Sequence, residues 1–241
     1  MKSVLELLPS REEAQKHNLE IQSDALTEQI TLLSMLGEKS EFLKVISKNL
    51  PKNVGLRYIK KRNSPTIIKK RFLDNSTNNN NKILGVYTIN DELLNIKDER
   101  LFTSILKKII PNYDLIIVSD YGHGFISKKN ANLICKLSKY LALNAQINAA
   151  NVGYHSMRNY KNINCVIINE NEIRHEMRNK NDEIEFLMKQ LSISQNFKDL
   201  IVTRGNQGSI LYNKKNKKIN YCGAYAKTVV DKIGAGDAML S

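Results

Sequence analysis

At 241 residues, with 41% hydrophobic residues, the chain is long enough to bury a core and too apolar for global disorder. The net charge of +13 comes from lysines spread along the chain. Only Lys60-Lys61-Arg62 and Lys69-Lys70-Arg71 cluster, which disfavours a nucleic-acid partner and leaves room for a phosphorylated substrate.

Residues from Val4 to Leu26 read as a helix with a broken apolar face. Nothing between Met1 and Glu20 forms an apolar signal core, and no run of about 18 apolar residues occurs. The expectation is a cytoplasmic protein without a membrane partner. Ile30 to Leu36 is a strand-like run ending at Gly37, and a helix is predicted from Ser40 to Asn49, stopped by Pro51. Three short strands follow, Gly55–Lys60, Thr66–Leu73 and Ile83–Ile89, with a turn at Ser64-Pro65 and a polar loop at Asn75–Asn81. Having no helix between them, they suggest a small antiparallel sheet, a β excursion at about residues 55–90.

Strand and helix then alternate: helix Lys97–Ile109, strand Asp114–Ser119, helix Ser127–Leu143, strands Ala145–Asn148 and Cys165–Ile168, a helical stretch Asn169–Leu191, strand Leu200–Thr203, and a strand pair from Ser209 to Tyr221. Such alternation implies parallel pairing. Leu115-Ile116-Ile117-Val118 is apolar throughout, as a strand buried on both faces should be. The prediction is a doubly wound α/β fold, a mainly parallel sheet flanked by helices with a small β lid. Cys135, Cys165 and Cys222 form no C-x-x-C pair and read as reduced, mostly buried thiols.

Ligands of such sheets bind beyond the carboxyl ends of the strands, where four segments stand. In Asp231-Lys232-Ile233-Gly234-Ala235-Gly236-Asp237 the glycines bare successive N–H groups toward one anion, beside a carboxylate able to take a proton; the same residues suit a plain helix start. Asn169 and Glu172, three apart after an apolar strand, could hold a hydrated Mg²⁺ or simply cap a helix. Thr203-Arg204-Gly205-Asn206-Gln207-Gly208 permits close backbone approach to a ligand, or an ordinary hairpin turn. Ser119-Asp120-Tyr121-Gly122-His123-Gly124 ends the apolar strand as a ligand-facing or merely solvated loop, with His123 titratable.

Taken in order, these segments resemble the PfkB carbohydrate kinase family, which includes ribokinase. The stretch Val230–Asp237 is similar to the family's D-T-x-G-A-G-D signature, Asn169-x-x-Glu172 to its N-x-x-E motif, and Val202–Gly208 to its nucleotide-side strand and turn. The loop Ser119–Gly124 resembles the S-D-Y-G-K-G loop of the heptose 7-phosphate kinase branch, with His123 in place of the usual Lys. Ser64–Arg71 resembles a segment of that branch's β lid, and Thr31–Gly37 a family strand.

The resemblance implies transfer of the ATP γ-phosphoryl group to a hydroxyl of a sugar or sugar phosphate. Asp237 would be the base, and the amides of Gly234, Ala235 and Gly236 the anion hole. Thr203, Gly205 and Asp231 would serve the nucleotide, Asn169 and Glu172 would position Mg²⁺ through water, and Lys69, Arg71, Asp120 and His123 would meet the sugar. It also implies a ribokinase-like domain over residues 30–241, after an atypical segment 1–29, with homodimerisation through the lid as one option. Upstream of Ile30 there is neither the family's opening strand with its substrate-binding Asp nor a Gly-Gly-x-x-x-Asn segment, and four residues follow Asp237. The chain is therefore expected to be an incomplete member, either an active kinase or an inactive or partial domain that binds nucleotide, sugar or a partner chain. Lys232 replaces the usual Thr; its ammonium could stand in for the monovalent cation bound by many relatives, or point to solvent. Asn148–Gly153 lacks the D-P-K-G pattern of the heptose branch.

Overall fold

Among the described residues, ten strands and five α-helices are laid out by where apolar runs can find neighbours. The computed structural model describes residues 30–74, 81–146, 157–225 and 239; the helix expected over Val4–Leu26 lies outside them. In chain order the elements are β1 (Ile30–Gly37), α1 (Leu43–Asn49), β2 (Val54–Lys61), β3 (Ile68–Asp74), β4 (Asn81–Thr88), α2 (Ile96–Ile109), β5 (Leu115–Asp120), α3 (Lys128–Leu137), β6 (Tyr140–Ala145), β7 (Cys165–Asn169), α4 (Glu170–Met177), α5 (Ile184–Gln195), β8 (Asp199–Thr203), β9 (Ser209–Asn213) and β10 (Lys218–Cys222). A six-stranded sheet runs β10-β9-β8-β7-β6-β5. Its four strands β5 to β8 are parallel, and β9 and β10 are added antiparallel. This is the mainly parallel sheet flanked by helices that the alternation predicts.

The core is one continuous cluster. Leu143, Val166, Leu200 and Val202 from one face of the sheet are fully buried with Phe102, Ile134, Ile173 and Leu187 from the helices. The opposite face holds a smaller cluster of Ala142 and Ile167, packed with Cys165 and Ile201. Helix ends are closed locally. Asn95 caps α2 through the Asp98 amide at 3.0 Å, and Ser127 caps α3 while donating to Glu99 at 2.6 Å.

Several expectations need correction. The helix predicted over Ser127–Leu143 ends at Leu137, because Ser138 turns extended and Tyr140–Ala145 is drawn between β5 and β7 as a strand. Burial in the sheet overrides the helix propensity of Leu and Ala there. The single helix expected over Asn169–Leu191 is two, broken where Arg178 adopts a left-handed conformation and Asn179 accepts from the amides of Asn181 and Asp182. Leu115 and Ile117 are exposed, at 48% and 38%, because they lie on the face of β5 opposite Ile116 and Val118, which alone pack on the core. Cys222 is exposed too, unlike the half-buried Cys135 and Cys165.

The three lid strands also divide differently. β2 pairs in parallel with β1, and only β3 and β4 form an antiparallel ribbon. The ribbon emerges where Gly37 meets Ser64–Thr66 so closely that a Cβ on Gly37 would lie 2.2 Å from the Thr66 nitrogen. There Thr66 accepts from the Gly37 amide at 3.0 Å and donates to Glu41 at 2.8 Å.

Candidate active site

The carboxyl ends of β5, β6, β7 and β8 finish level. Asp120 is in register with Ala145, and Asn169 with Thr203, while Asn144 donates across the edge to the Ile167 carbonyl at 2.8 Å. Strands lie about 4.8 Å apart, so Asp120 and Asn169, two strands apart, stand roughly 10 Å from each other. This rim brings together most of the described residues expected to form a site.

At the β5 end, the Asp120 carboxylate is turned inward. Its Oδ2 accepts from the fully buried Tyr160 hydroxyl at 2.7 Å, and its Oδ1 from the Gly122 amide at 3.0 Å. Burial, followed by the Asp120 charge, holds the Tyr160 phenol well above its ordinary pKa, so the hydroxyl stays a donor. Asp120 thus anchors the loop that carries Tyr121 and His123. Replacing Tyr160 by Phe deprives a buried carboxylate of a donor. The expected cost is about 1.5–3 kcal/mol, read as a lower urea midpoint at unchanged slope.

His123 is buried, and its Nδ1 lies 2.7 Å from an Asp91 carboxylate oxygen. Asp91 was not foreseen, because the stretch 89–93 offers no pattern. What holds it is Lys61, whose buried ammonium donates to the Asn90 carbonyl at 2.7 Å and the Glu92 carbonyl at 2.5 Å. Lys61 is the middle of the cationic run Lys60-Lys61-Arg62; burial lowers its pKa, against the pull of Glu92 and Asp91. Gly124, at φ +75°, lies against the same segment, where a Cβ would sit 1.9 Å from the Glu92 oxygen.

The ribbon leans over this corner. Register places Lys69 opposite Tyr87 and Arg71 opposite Gly85 on one face, and Lys70 opposite Val86 and Phe72 opposite Leu84 on the other. Lys69 holds its ammonium 5.2 Å from the centre of the Tyr121 ring, and burial lowers its pKa first. So Lys69, Asp120 and His123 share one corner, and Arg71 sits on the ribbon face that carries Lys69.

At the β7 end, Asn169 and Glu172 form a reciprocal capping box. Asn169 accepts from the Glu172 amide at 2.9 Å, and Glu172 from the Asn169 amide at 2.8 Å. Asn169 is exposed at the rim and Glu172 buried beneath it. Among the described residues no cluster of three or more His, Cys, Asp or Glu could ligate a metal directly. An exposed carboxamide over a buried carboxylate fits a cation that keeps its water shell, as Mg²⁺ does.

Glu170, also unforeseen, joins this cap to the next turn. It accepts from Arg174 at 2.7 Å and from Arg204 at 2.8 Å, and the Arg204 hydrogen bond is the main cause of its lowered pKa. Thr203 ends β8, Gly205 (φ +59°) is exposed with open space around it, and Gly208 (φ +82°) lies against the Cys222 and Gly223 backbone, its Cβ position 1.9 Å from the Cys222 oxygen. The chain therefore leaves β10 beside this turn. Asp231, Gly234, Ala235, Gly236 and Asp237, with Lys232, lie outside the described residues.

A family model described as pfkB family carbohydrate kinase matches residues 24–241. Compared with curated proteins, the chain matches none. Solved structures similar to it include Escherichia coli phosphofructokinase-2 in complex with potassium (TM-score 0.66, 13% identity, 87% of this chain and 66% of that one). Others are ribokinase from Giardia lamblia (0.65, 16%, 89% and 66%) and a putative phosphofructokinase from Staphylococcus aureus (0.60, 15%, 89% and 66%). The chain spans 66% of the length of each, and at these identities the likeness establishes the ribokinase-like fold. Among the described residues no helix is long and apolar enough to cross a membrane.

Proposed function

Because the chain belongs to the pfkB family of carbohydrate kinases, we propose that it transfers the γ-phosphoryl group of ATP to a hydroxyl of a sugar or sugar phosphate. The level rim of β5 to β8 carries this reading. It sets a basic ribbon and a polar loop at one end and an open glycine turn at the other, about three strand spacings apart (roughly 14 Å). A sugar and a triphosphate laid end to end need such a span.

In this reading Asp237 takes the proton of the acceptor hydroxyl as its oxygen bonds to the γ-phosphorus and the bridging P–O bond to ADP breaks. The amides of Gly234, Ala235 and Gly236 hold the transferring oxygens, Asp231 and Thr203 border the nucleotide, and Gly205 leaves its backbone bare to it. Arg71 and Lys69 meet the sugar. Asp120 serves the sugar by holding the loop after β5. Asn169 and Glu172 hold Mg²⁺ through its waters; when bound, the ion offsets the phosphate charge. Positioning and charge complementarity are the main sources of rate.

The test is ATP consumption with Mg²⁺ over pentoses, hexoses, heptoses and their phosphates, heptose 7-phosphate included. ADP release with one acceptor class supports the reading, whereas ATP or sugar bound without turnover makes the chain an inactive binding relative. Turnover that rises sharply with added K⁺ would assign Lys232 to solvent rather than to the place of a monovalent cation.

The outer face of the ribbon leaves Phe72, Leu84 and Val86 about half exposed, which favours a homodimer paired through the lid. A double substitution, Phe72→Lys with Leu84→Lys, should then shift the protein from dimer to monomer by sedimentation velocity.

A further inference from the structure

His123 is 7% exposed, and its Nε2 is buried with no hydrogen-bond partner. Its other nitrogen faces a carboxylate, which can only accept, so Nδ1 carries the proton. A ring with Nδ1–H and no second proton presents a lone pair at Nε2, and a buried acceptor without a donor costs free energy. The loop bearing Asp91 is clamped by Lys61 and by Gly124, so the tautomer is imposed by the fold. Over the corner lies Lys69, carried by a ribbon whose extensive packing is between its own strands β3 and β4.

Resting on the kinase reading above, we propose that His123, oriented by Asp91, is a specificity-determining residue whose Nε2 accepts a hydrogen bond from a free hydroxyl of the acceptor sugar. The group at this corner is then a hydroxyl, not a phosphate. A fully ionised phosphate offers no proton to Nε2, while a sugar hydroxyl always does. Lysine at this place, as in the S-D-Y-G-K-G pattern, has three N–H donors and no acceptor and suits the opposite choice.

The surrounding charges agree. Around the ring stand Asp91 after β4, Asp120 at the end of β5 and Lys69 on β3, with Tyr121 beside it. Burial is the largest influence and lowers the His123 pKa. The Asp91 hydrogen bond raises it, Lys69 lowers it, and the Asp91 and Asp120 charges raise it, leaving it below the ordinary value. The neutral ring is thus the form present near neutrality, and acid removes the acceptor.

Two readouts decide it. In the full-length chain labelled with ¹⁵N-histidine, the His123 signals are identified among four histidines by their loss in His123→Gln. They should report an Nδ1–H tautomer with bare Nε2, lost in Asp91→Asn, and should move on titration with D-ribose or D-fructose and not with inorganic sulfate, a tetrahedral oxyanion without a proton. In kinetics, His123→Phe, which has no acceptor, and Asp91→Asn should each raise KM for the free sugar about tenfold, the worth of one hydrogen bond of ordinary strength, with KM for ATP within about twofold. Wild-type KM for sugar should rise as pH falls through the His123 pKa. His123→Lys should shift preference toward the phosphorylated counterpart of the same sugar.

An Nε2–H tautomer in the wild type, signals moved by sulfate and not by sugar, or an unchanged KM for sugar in His123→Phe would overturn the assignment. If no acceptor is phosphorylated at all, the kinase reading fails, and the tautomer and titration still decide this one.

Discussion

Asp237→Asn should lower kcat for sugar phosphorylation by about 10²–10⁴-fold, the usual contribution of a positioned general base, while ATP binding stays within about twofold. The asymmetry follows from the role. In the proposed site an asparagine would keep the size and polarity of Asp237, so the phosphates would keep the donors assigned to Gly234–Gly236, but its amide cannot take the hydroxyl proton. The lost interaction belongs to the transition state, so kcat and kcat/KM should fall together with KM nearly unchanged. Single-turnover phosphoryl transfer combined with calorimetric ATP binding separates the two effects. Equal turnover by both proteins would remove Asp237 from the chemistry, and loss of ATP affinity would make it a binding group.

The second large effect is expected at Gly124→Ala. Its φ of +75° strains any side chain, at about 1–3 kcal/mol. The new Cβ would also stand 1.9 Å from the Glu92 oxygen and 2.6 Å from its carbonyl carbon. These are backbone atoms held by Lys61, so they cannot swing aside as a side-chain tip would. Either the loop after β5 or the 90–92 segment must shift by an ångström or more, parting His123 from Asp91. A displacement of that size costs on the order of 100-fold in rate when it misplaces substrate. The expected result is a lower melting temperature together with a fall in kcat/KM for sugar that exceeds any change in KM for ATP. Gly205→Ala is the comparison for stability: it shares a positive φ, but its Cβ meets no protein atom within 4 Å, so strain without a clash should set its melting temperature. If Gly124→Ala lowers the melting temperature no more than Gly205→Ala does and leaves KM and kcat for sugar unchanged, the close approach of the two segments has no functional weight.

Most of the scaffold is legible along the chain. The apolar runs of β5, β7 and β8 announce themselves because each is short, rich in β-branched residues and bounded by polar positions, and that of β1 because it is apolar and ends at Gly37. Asn169 and Glu172 were visible as a pair because helix capping is a local bargain between residues three apart, and the structure closes it as a capping box. The order of the segments Ser119–Gly124, Asn169–Glu172 and Thr203–Gly208 after successive strands sufficed to predict a common rim, since parallel strands present their carboxyl ends on one side.

What local pattern could not decide depended on neighbours far along the chain. Tyr140–Ala145 has a helix-compatible composition and is a strand because β5 and β7 lie on either side of it. Lys61 sits in a run of three cations whose sequence gives no hint that the middle one is buried; only the carbonyls of Asn90 and Glu92, about thirty residues on, make that tolerable. Asp91 gains its place because that clamp turns its carboxylate to His123, and Glu170 because Arg204 reaches it from the next strand. The sequence by itself determined the strand–helix order, the caps and the glycine turns, which are all settled within a few residues of backbone. Which polar groups were buried, and with which partners, was decided by tertiary structure alone, because the free energy of a buried charge lies in groups that the linear chain does not place beside it.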